Sequence, residues 1–383
     1  MMTEPGKTLG NPQLEAEKQH TLQFLTQYLA DMDGFSPLGE PIPLSGGLLN
    51  FVWRVIGQPG SEPPSLIAKW ATPFIATLPD VGLDPDRIKF EAEVLRSFST
   101  EGCLSGLPSA QIRAPRLIDF IEGCNVLLME DIRGEPELGR WMQSPRDAGT
   151  ARQVGALVGG FIGRLHRITS QEPALQQVFN NANIQRTRLD FQYKNVDPYA
   201  HRARLAEADR IGRVAVEFGE MLQQPGTALI MGDLWPPSIL VCDEGVRIID
   251  WELAHYGRPA QDVGHFAAHL WMQMHRNRGQ AAAENARHIL EGFLPAYRDG
   301  LGDRFDSVFG KAGVRESAIH FGCEVLTRAV GNFQAGYLYE ALAWDDPIIQ
   351  EAAACAADHI LSPLEQSTFD ALDWRVLNQP LQG

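Results

Sequence analysis

The stretch LIMGDLWPPSILVCDEGVRIIDWELAHYG, residues 229–257, sets the acids Asp233, Asp250 and Glu252 at the edges of hydrophobic runs. Ionised carboxylates are costly to bury alone, so acids grouped at strand ends have a cation to hold or a proton to accept. The runs ILVC and VRIID flank Asp243-Glu244-Gly245, a composition that predicts a three-residue hairpin loop. A turn centred on Glu244 sets Ser238 opposite Asp250 and leaves Asp233 in the approach loop. Asp250 and Glu252, two apart in an extended exit, then project from the same side. Oxygen ligands without His or Cys suit Mg2+, which takes one or two protein carboxylates together with substrate phosphates. Each acid taken singly is equally well a turn residue or a helix cap.

A second group lies nearer the N-terminus. Ser45-Gly46-Gly47 at a strand turn permits close backbone approach to an anion, although a Gly-Gly turn by itself is an ordinary hairpin feature. Lys69 sits in the apolar strand SLIAKW, where a lone ammonium is poorly solvated and needs a partner. In the helical segment RIKFEAEVLRSF, the spacing of Ile88, Glu91, Leu95 and Phe98 puts Glu91 on the inward stripe and Glu93 off it. Lys69 and Glu91 are therefore expected to satisfy one another.

The elements that must position these residues divide the chain in two. Residues 40–72 read as strands separated by a glycine turn and a Pro/Gly loop, preceded by a helix with Leu14, Leu22, Leu25 and Leu29 on one stripe. NVLLMEDI reads as a further strand, after which helical patterns such as RQVGALVGGFIGRLHRI and EVLTRAVGNFQAGYLYEALA dominate. The expected architecture is α+β and bilobal: a strand-rich N-terminal lobe over 1–131 and a larger, mostly helical lobe over 132–383. At 383 residues and 44% hydrophobic content, such a chain buries a large core. A net charge of −15 speaks against a nucleic-acid partner. Five scattered cysteines without a CxxC pair fit reduced thiols in the cytoplasm, and no apolar run reaches the length of a membrane span or signal core. His255, His265, His269 and His275 lack the HExxH spacing of a zinc site.

Glycine turn, strand Lys, helix Glu, connecting strand, loop Asp, hairpin and second Asp is the order of parts in a kinase-type phosphotransferase. Through LSGGLLNFVWRV, VLLMED, GDLWPPSILV and IIDWELAHYGRPAQDVGHF, the chain resembles the aminoglycoside phosphotransferase and choline kinase superfamily. Within it the sequence is similar to the methylthioribose-kinase-like branch, and more so to fungal small-molecule kinases of the 4-hydroxytryptamine-kinase type. The resemblance implies a kinase-like fold, ATP as phosphoryl donor, Mg2+ and a small-molecule hydroxyl as acceptor. It implies that Asp233 takes the hydroxyl proton and that Asp250 and Glu252 bind metal with Ser238 beside them. Lys69 would hold phosphates, with Glu91 fixing it. Gly46, Gly47, Asn50 and the connection Glu130-Asp131-Ile132 would contact nucleotide, and Asp262 would brace the catalytic loop.

Three positions depart from the wider pattern. Met231 stands where the superfamily has His, and Ser238 where most members have a metal-binding Asn. These two raise the alternative of a non-catalytic nucleotide-binding pseudokinase, against which stands the retention of Lys69, Glu91, Asp233, Asp250 and Glu252 together. Thr327-Arg328 aligns with an Arg-Arg pair of the methylthioribose kinases. With Arg328 alone remaining, and with Trp235 beside Asp233 as either core or stacking platform, the expectation is an aromatic or amine-bearing alcohol in preference to methylthioribose.

Overall fold

In the computed structural model, which describes residues 12–44, 49–76 and 78–365, the chain clusters into two compact units. The first comprises Met1–Ala92 and Arg116–Asp131, the second Glu93–Pro115 and Ile132–Gly383. The 131/132 division expected from sequence placed Glu93–Pro115 with the first unit. That segment groups with the second because its apolar residues pack there: the Phe98 ring lies 5.8 Å from Phe161 and 5.2 Å from Trp251. Among the described residues no helix is long and apolar enough to cross a membrane.

The first unit holds α1 (Pro12–Ala30), the strands β1 (Ile42–Pro43), β2 (Phe51–Ile56) and β3 (Ser65–Trp70), the start of α2 (Arg87–Ser97), then β4 (Leu117–Ile121) and β5 (Val126–Glu130). The sheet runs β1-β2-β3-β5-β4 with every pairing antiparallel. Trp53, Val55, Leu66, Ala68 and Trp70 form its core with Leu25 and Leu29 of α1. Burying side chains of this size contributes roughly 1.5–3 kcal/mol each. Strand β3 is central and buried along its whole length, and alternation puts Lys69 on the face opposite Ala68 and Trp70.

The second unit is built on α3 (Ala148–Thr169), which carries Gly155, Gly159 and Gly163 at four-residue spacing. A Cβ at these positions would lie 1.9–2.3 Å from the carbonyl oxygens of Ile289, Phe293 and Tyr297. The missing side chains are what let the long helix Ala281–Leu301 lie directly against α3. The glycines of GALVGGFIG are thus a packing surface. Helix α4 (Ala182–Phe191) follows, then β6 (Ala228–Ile230), the hairpin β7 (Ile239–Cys242) and β8 (Gly245–Ile248), β9 (His255–Gly257), α5 (Ala260–Arg276), α6 (that long helix, Ala281–Leu301) and α7 (Gly310–Ala329).

The hairpin differs from expectation by one residue. Cys242 pairs with Gly245 and Ile239 with Ile248, so the loop is the two-residue Asp243-Glu244 and the Ser238 carbonyl accepts from the Ile249 N–H, not from a residue at Asp250. A slip of one exchanges the faces of a strand. Its cause is Gly245, which enters the strand at φ +136° and lies so near the segment before the short strand Ile112–Arg113 that a Cβ would come within 2.0 Å of the Gln111 oxygen. Gly245→Ala should therefore cost at least about 1–3 kcal/mol, the scale of a strained backbone position. Urea denaturation measures this, and an unchanged midpoint would contradict the tight approach of these strands.

Candidate functional site

In the first unit the Lys69 ammonium lies 2.8 Å from Glu91 Oε2, and their side chains are 2% and 1% exposed. The expected pair forms, and Glu93 turns outward to Arg96. Asn50 is also buried, but its Oδ1 accepts from Arg87 Nη2 at 2.7 Å. Arg87 reaches the carbonyls of Leu49, Thr72 and Asp84 as well, so it ties the entry of β2 to the start of α2. The carboxamide expected to contact nucleotide is used in holding that entry. At the end of β5, Glu130 pairs back to the Arg116 N–H, while Asp131 accepts two bonds from Arg54 at 2.8 and 2.9 Å and one from Ser65 Oγ at 2.6 Å. Their side chains lock the strand ends. Ile132 opens the second unit. Gly46 and Gly47 lie outside the described residues.

In the second unit a buried carboxylate shapes the loop after β6. Asp262, in the first turn of α5, accepts from the backbone N–H groups of Met231 and Gly232, each at 2.8 Å. His166 Nε2 lies 3.2 Å from the same carboxylate, and its Nδ1 lies 2.9 Å from the Tyr297 hydroxyl. Gly232 has φ +80°, and a Cβ there would lie 2.4 Å from the Leu253 oxygen. The sharp turn delivers Asp233 to a partly exposed position. Ser238 closes the other end of the loop: its Oγ donates to the Trp235 carbonyl at 2.8 Å and accepts from the Trp235 N–H at 3.3 Å. Ser238 is fully buried, and its hydroxyl helps to form this turn.

Asp233 Oδ1 accepts from Arg188 Nη2 at 3.1 Å and faces His265 Nε2 at 3.3 Å. Burial pushes the carboxyl up, but the His265 hydrogen bond and the charges of His265, Arg188 and Arg328 outweigh it and hold the group down at about 2. Asp250 has φ +63° and leads into the short turn Trp251–Leu253, so the exit is not the extended segment expected. That turn carries Glu252, which is buried. Two hard-oxygen carboxylates two residues apart fit Mg2+, which requires few protein ligands beyond substrate phosphates.

Apart from Arg328, sequence reasoning missed the groups behind Asp233. Arg188 comes from α4. On α7, His320, Glu324 and Arg328 fall at four-residue intervals, as do His265 and His269 on α5. His265 Nδ1 lies 3.2 Å from His320 Nε2, and Glu324 receives Gln192, His269 and Arg328 at 2.6, 3.1 and 2.7 Å. His265, His269 and Glu324 bring donor atoms within 4.8 Å of one another, but these bonds already use them. Burial keeps His269 neutral by pulling it down to about 3, and lowers His320 likewise. Arg328 stacks 4.7 Å from the Trp235 ring, with Tyr337 at 5.4 Å. The two-helix, four-residue spacing was the signal that could have found this network.

Residues 40–301 match the model of the phosphotransferase enzyme family. The chain belongs to this family. It is 28% identical over 306 residues to a 4-hydroxytryptamine kinase of Psilocybe cyanescens, covering 76% of this chain and 82% of that protein. A methylthioribose kinase of Geobacillus sp. (strain WCH70) is 25% identical over 344 residues, with coverages of 78% and 80%. The fold is similar to a solved amicoumacin kinase in complex with AMP-PNP and Ca2+, with TM-score 0.55, 14% identity, and coverage of 96% of this chain and all of that one. The likeness supports the α+β kinase-like fold of this phosphotransferase.

The Lys69–Glu91 pair yields a direct test. Lys69→Met leaves a buried carboxylate without its cation and should destabilise the fold by about 3–5 kcal/mol, whereas Lys69→Met with Glu91→Leu should recover much of that loss. Thermal or chemical denaturation of the three proteins checks it.

Proposed function

We propose that this phosphotransferase transfers the γ-phosphoryl group of ATP to a hydroxyl of a small molecule, with Asp233 at the reacting hydroxyl. The observation that carries the reading is the arrangement of Asp233: both of its contacts fall on Oδ1, which leaves Oδ2 to accept from the acceptor O–H. A carboxyl held at about 2 is a weak base. It suits a reaction in which the hydroxyl is oriented first and gives up its proton late, as the bond to phosphorus forms. The acceptor oxygen bonds to the γ-phosphorus, the bond to the β-phosphate oxygen breaks with its electron pair leaving on ADP, and the proton passes to Oδ2 and then to solvent. Lys69, held by Glu91, offsets negative charge on the phosphates. Asp250 and Glu252 would hold Mg2+, which when bound neutralises phosphate charge and orients it.

Met231 and Ser238, the two departures that suggested a pseudokinase, have structural uses. The Met231 N–H is held by Asp262 and its side chain is buried, while Ser238 closes the loop. The acceptors named by the relatives, 4-hydroxytryptamine and methylthioribose, define the first two classes to test, a hydroxyindole or amine-bearing alcohol and a methylthioribose-like sugar. Arg188 supplies a second guanidinium beside Asp233, so the single arginine of Thr327-Arg328 no longer weighs against the sugar. Trp235 and Arg328 are the side chains proposed to meet the acceptor.

Asp233→Asn should lower turnover at least ~100-fold, the scale of general-base losses, with MgATP affinity retained because the amide is nearly isosteric. Steady-state kinetics with calorimetry tests both halves, and near-normal turnover would refute the role. Asp250→Ala should abolish Mg2+-dependent nucleotide binding and Glu252→Ala should raise the Mg2+ requirement, as titration of MgATP will show; unchanged affinity in both variants would mean the metal lies elsewhere.

A further inference from the structure

Among the described residues the acids beside Asp233 are engaged, whereas two guanidiniums keep nitrogens without a hydrogen bond, Arg188 at its buried Nη1 and Arg328 at both terminal nitrogens. Glu324 holds Gln192, His269 and Arg328. Glu137, the other acid near Tyr337, caps its own helix through the N–H groups of Gly139 and Arg140 at 2.6 and 2.7 Å. Asp233 spends Oδ1 on Arg188 and His265 and, on the kinase reading, keeps Oδ2 for the reacting hydroxyl. Arg328 is tethered at Nε by Glu324 and covered by Trp235, Tyr337 and Phe333 at 4.7, 5.4 and 5.5 Å. Among the described residues its two terminal nitrogens make no hydrogen bond.

An aromatic cage of this composition commonly receives a ligand's ammonium. Here the protein's own guanidinium fills it, and an ammonium placed beside it would meet like charge on Arg328 and Arg188, while Glu324 and Oδ1 of Asp233 are already engaged among the described residues. A planar guanidinium fixed at one nitrogen presents a fork matched to two oxygens. Resting on the kinase reading of this site, we propose that the acceptor is a carboxylate-bearing alcohol or phenol, that Arg328 binds its carboxylate in two-pronged fashion, and that amine-bearing alcohols are disfavoured.

The test compares specificity constants for 4-hydroxyindole-3-acetate and 4-hydroxytryptamine, which share a ring and differ in side-chain charge, with methylthioribose as the neutral reference. The acid should exceed both by at least ~10-fold, the return from one charge-assisted hydrogen bond. Arg328→Gln should erase that ratio, and Arg328→Lys should shrink it while keeping its sign. Because loss of Arg328 strips a partner from buried Glu324 and can impair folding, the wild-type protein supplies an independent measure: indole-3-acetate should inhibit competitively at lower concentration than tryptamine. Equal use of acid and amine, or preference for the amine or the sugar, overturns the inference and leaves the kinase reading standing. If none of the three accepts phosphate, the kinase reading fails for these acceptors, and calorimetric binding of indole-3-acetate against tryptamine decides the charge question alone. Tighter binding of tryptamine then overturns the inference.

Discussion

The position of Asp233 depends on a carboxylate that does no chemistry. Asp262 is fully buried, a state that costs several kcal/mol for a charge unless hydrogen bonds replace its water. Two consecutive backbone N–H groups and His166 supply them. Those N–H groups belong to Met231 and Gly232, so satisfying Asp262 also sets the direction in which the chain delivers the next residue. His166 is held by Tyr297, on a helix that reaches α3 only because Gly155, Gly159 and Gly163 lack side chains. A stripe of small residues more than sixty positions upstream of the loop therefore contributes to the geometry of Asp233.

The same principle extends behind Asp233. Histidines on α5 and α7 serve there as neutral hydrogen-bonding groups where burial lowers them, as at His269 and His320. The compensating positive charge comes from arginines, which stay ionised when buried. Arg188 answers Asp233 and Arg328 answers Glu324. The first unit repeats the arrangement with Lys69 on Glu91 and Arg54 on Asp131. Breaking any such pair leaves an uncompensated buried charge, so each fixes a side chain more firmly than its net contribution to stability suggests.

Sequence was informative where chemistry and local periodicity coincide. Lys69 in an apolar strand had to find an acid, and helical spacing singled out Glu91 over Glu93. It was less informative where a contact depends on register or on a distant element. One residue fewer in the hairpin loop removed Ser238 from the position opposite Asp250, because Gly245 passes too near Gln111 to sit inside a longer turn. Asn50 Oδ1 accepts from Arg87, a buried cation that DPDRIKFE presents as an ordinary helix-start charge. Arg188 looks like one of two solvated arginines in NIQRTRLD, and only the packing of α4 brings it to Asp233.

Saturation of hydrogen bonds separates the residues that build this site from those that use it. Asp262, Glu324 and Ser238 resemble active-site residues in type, yet their polar atoms are spent on the protein. An atom so engaged can bind a ligand only by giving up a bond, at a cost of about 1–3 kcal/mol for each group left unmet in the interior. Asp233 Oδ2 and the outer edge of Arg328 carry no such debt among the described residues. One is an acceptor suited to a hydroxyl proton, the other a fixed pair of donors suited to oxygen. Trp235, packed on the guanidinium, holds that pair of donors in place.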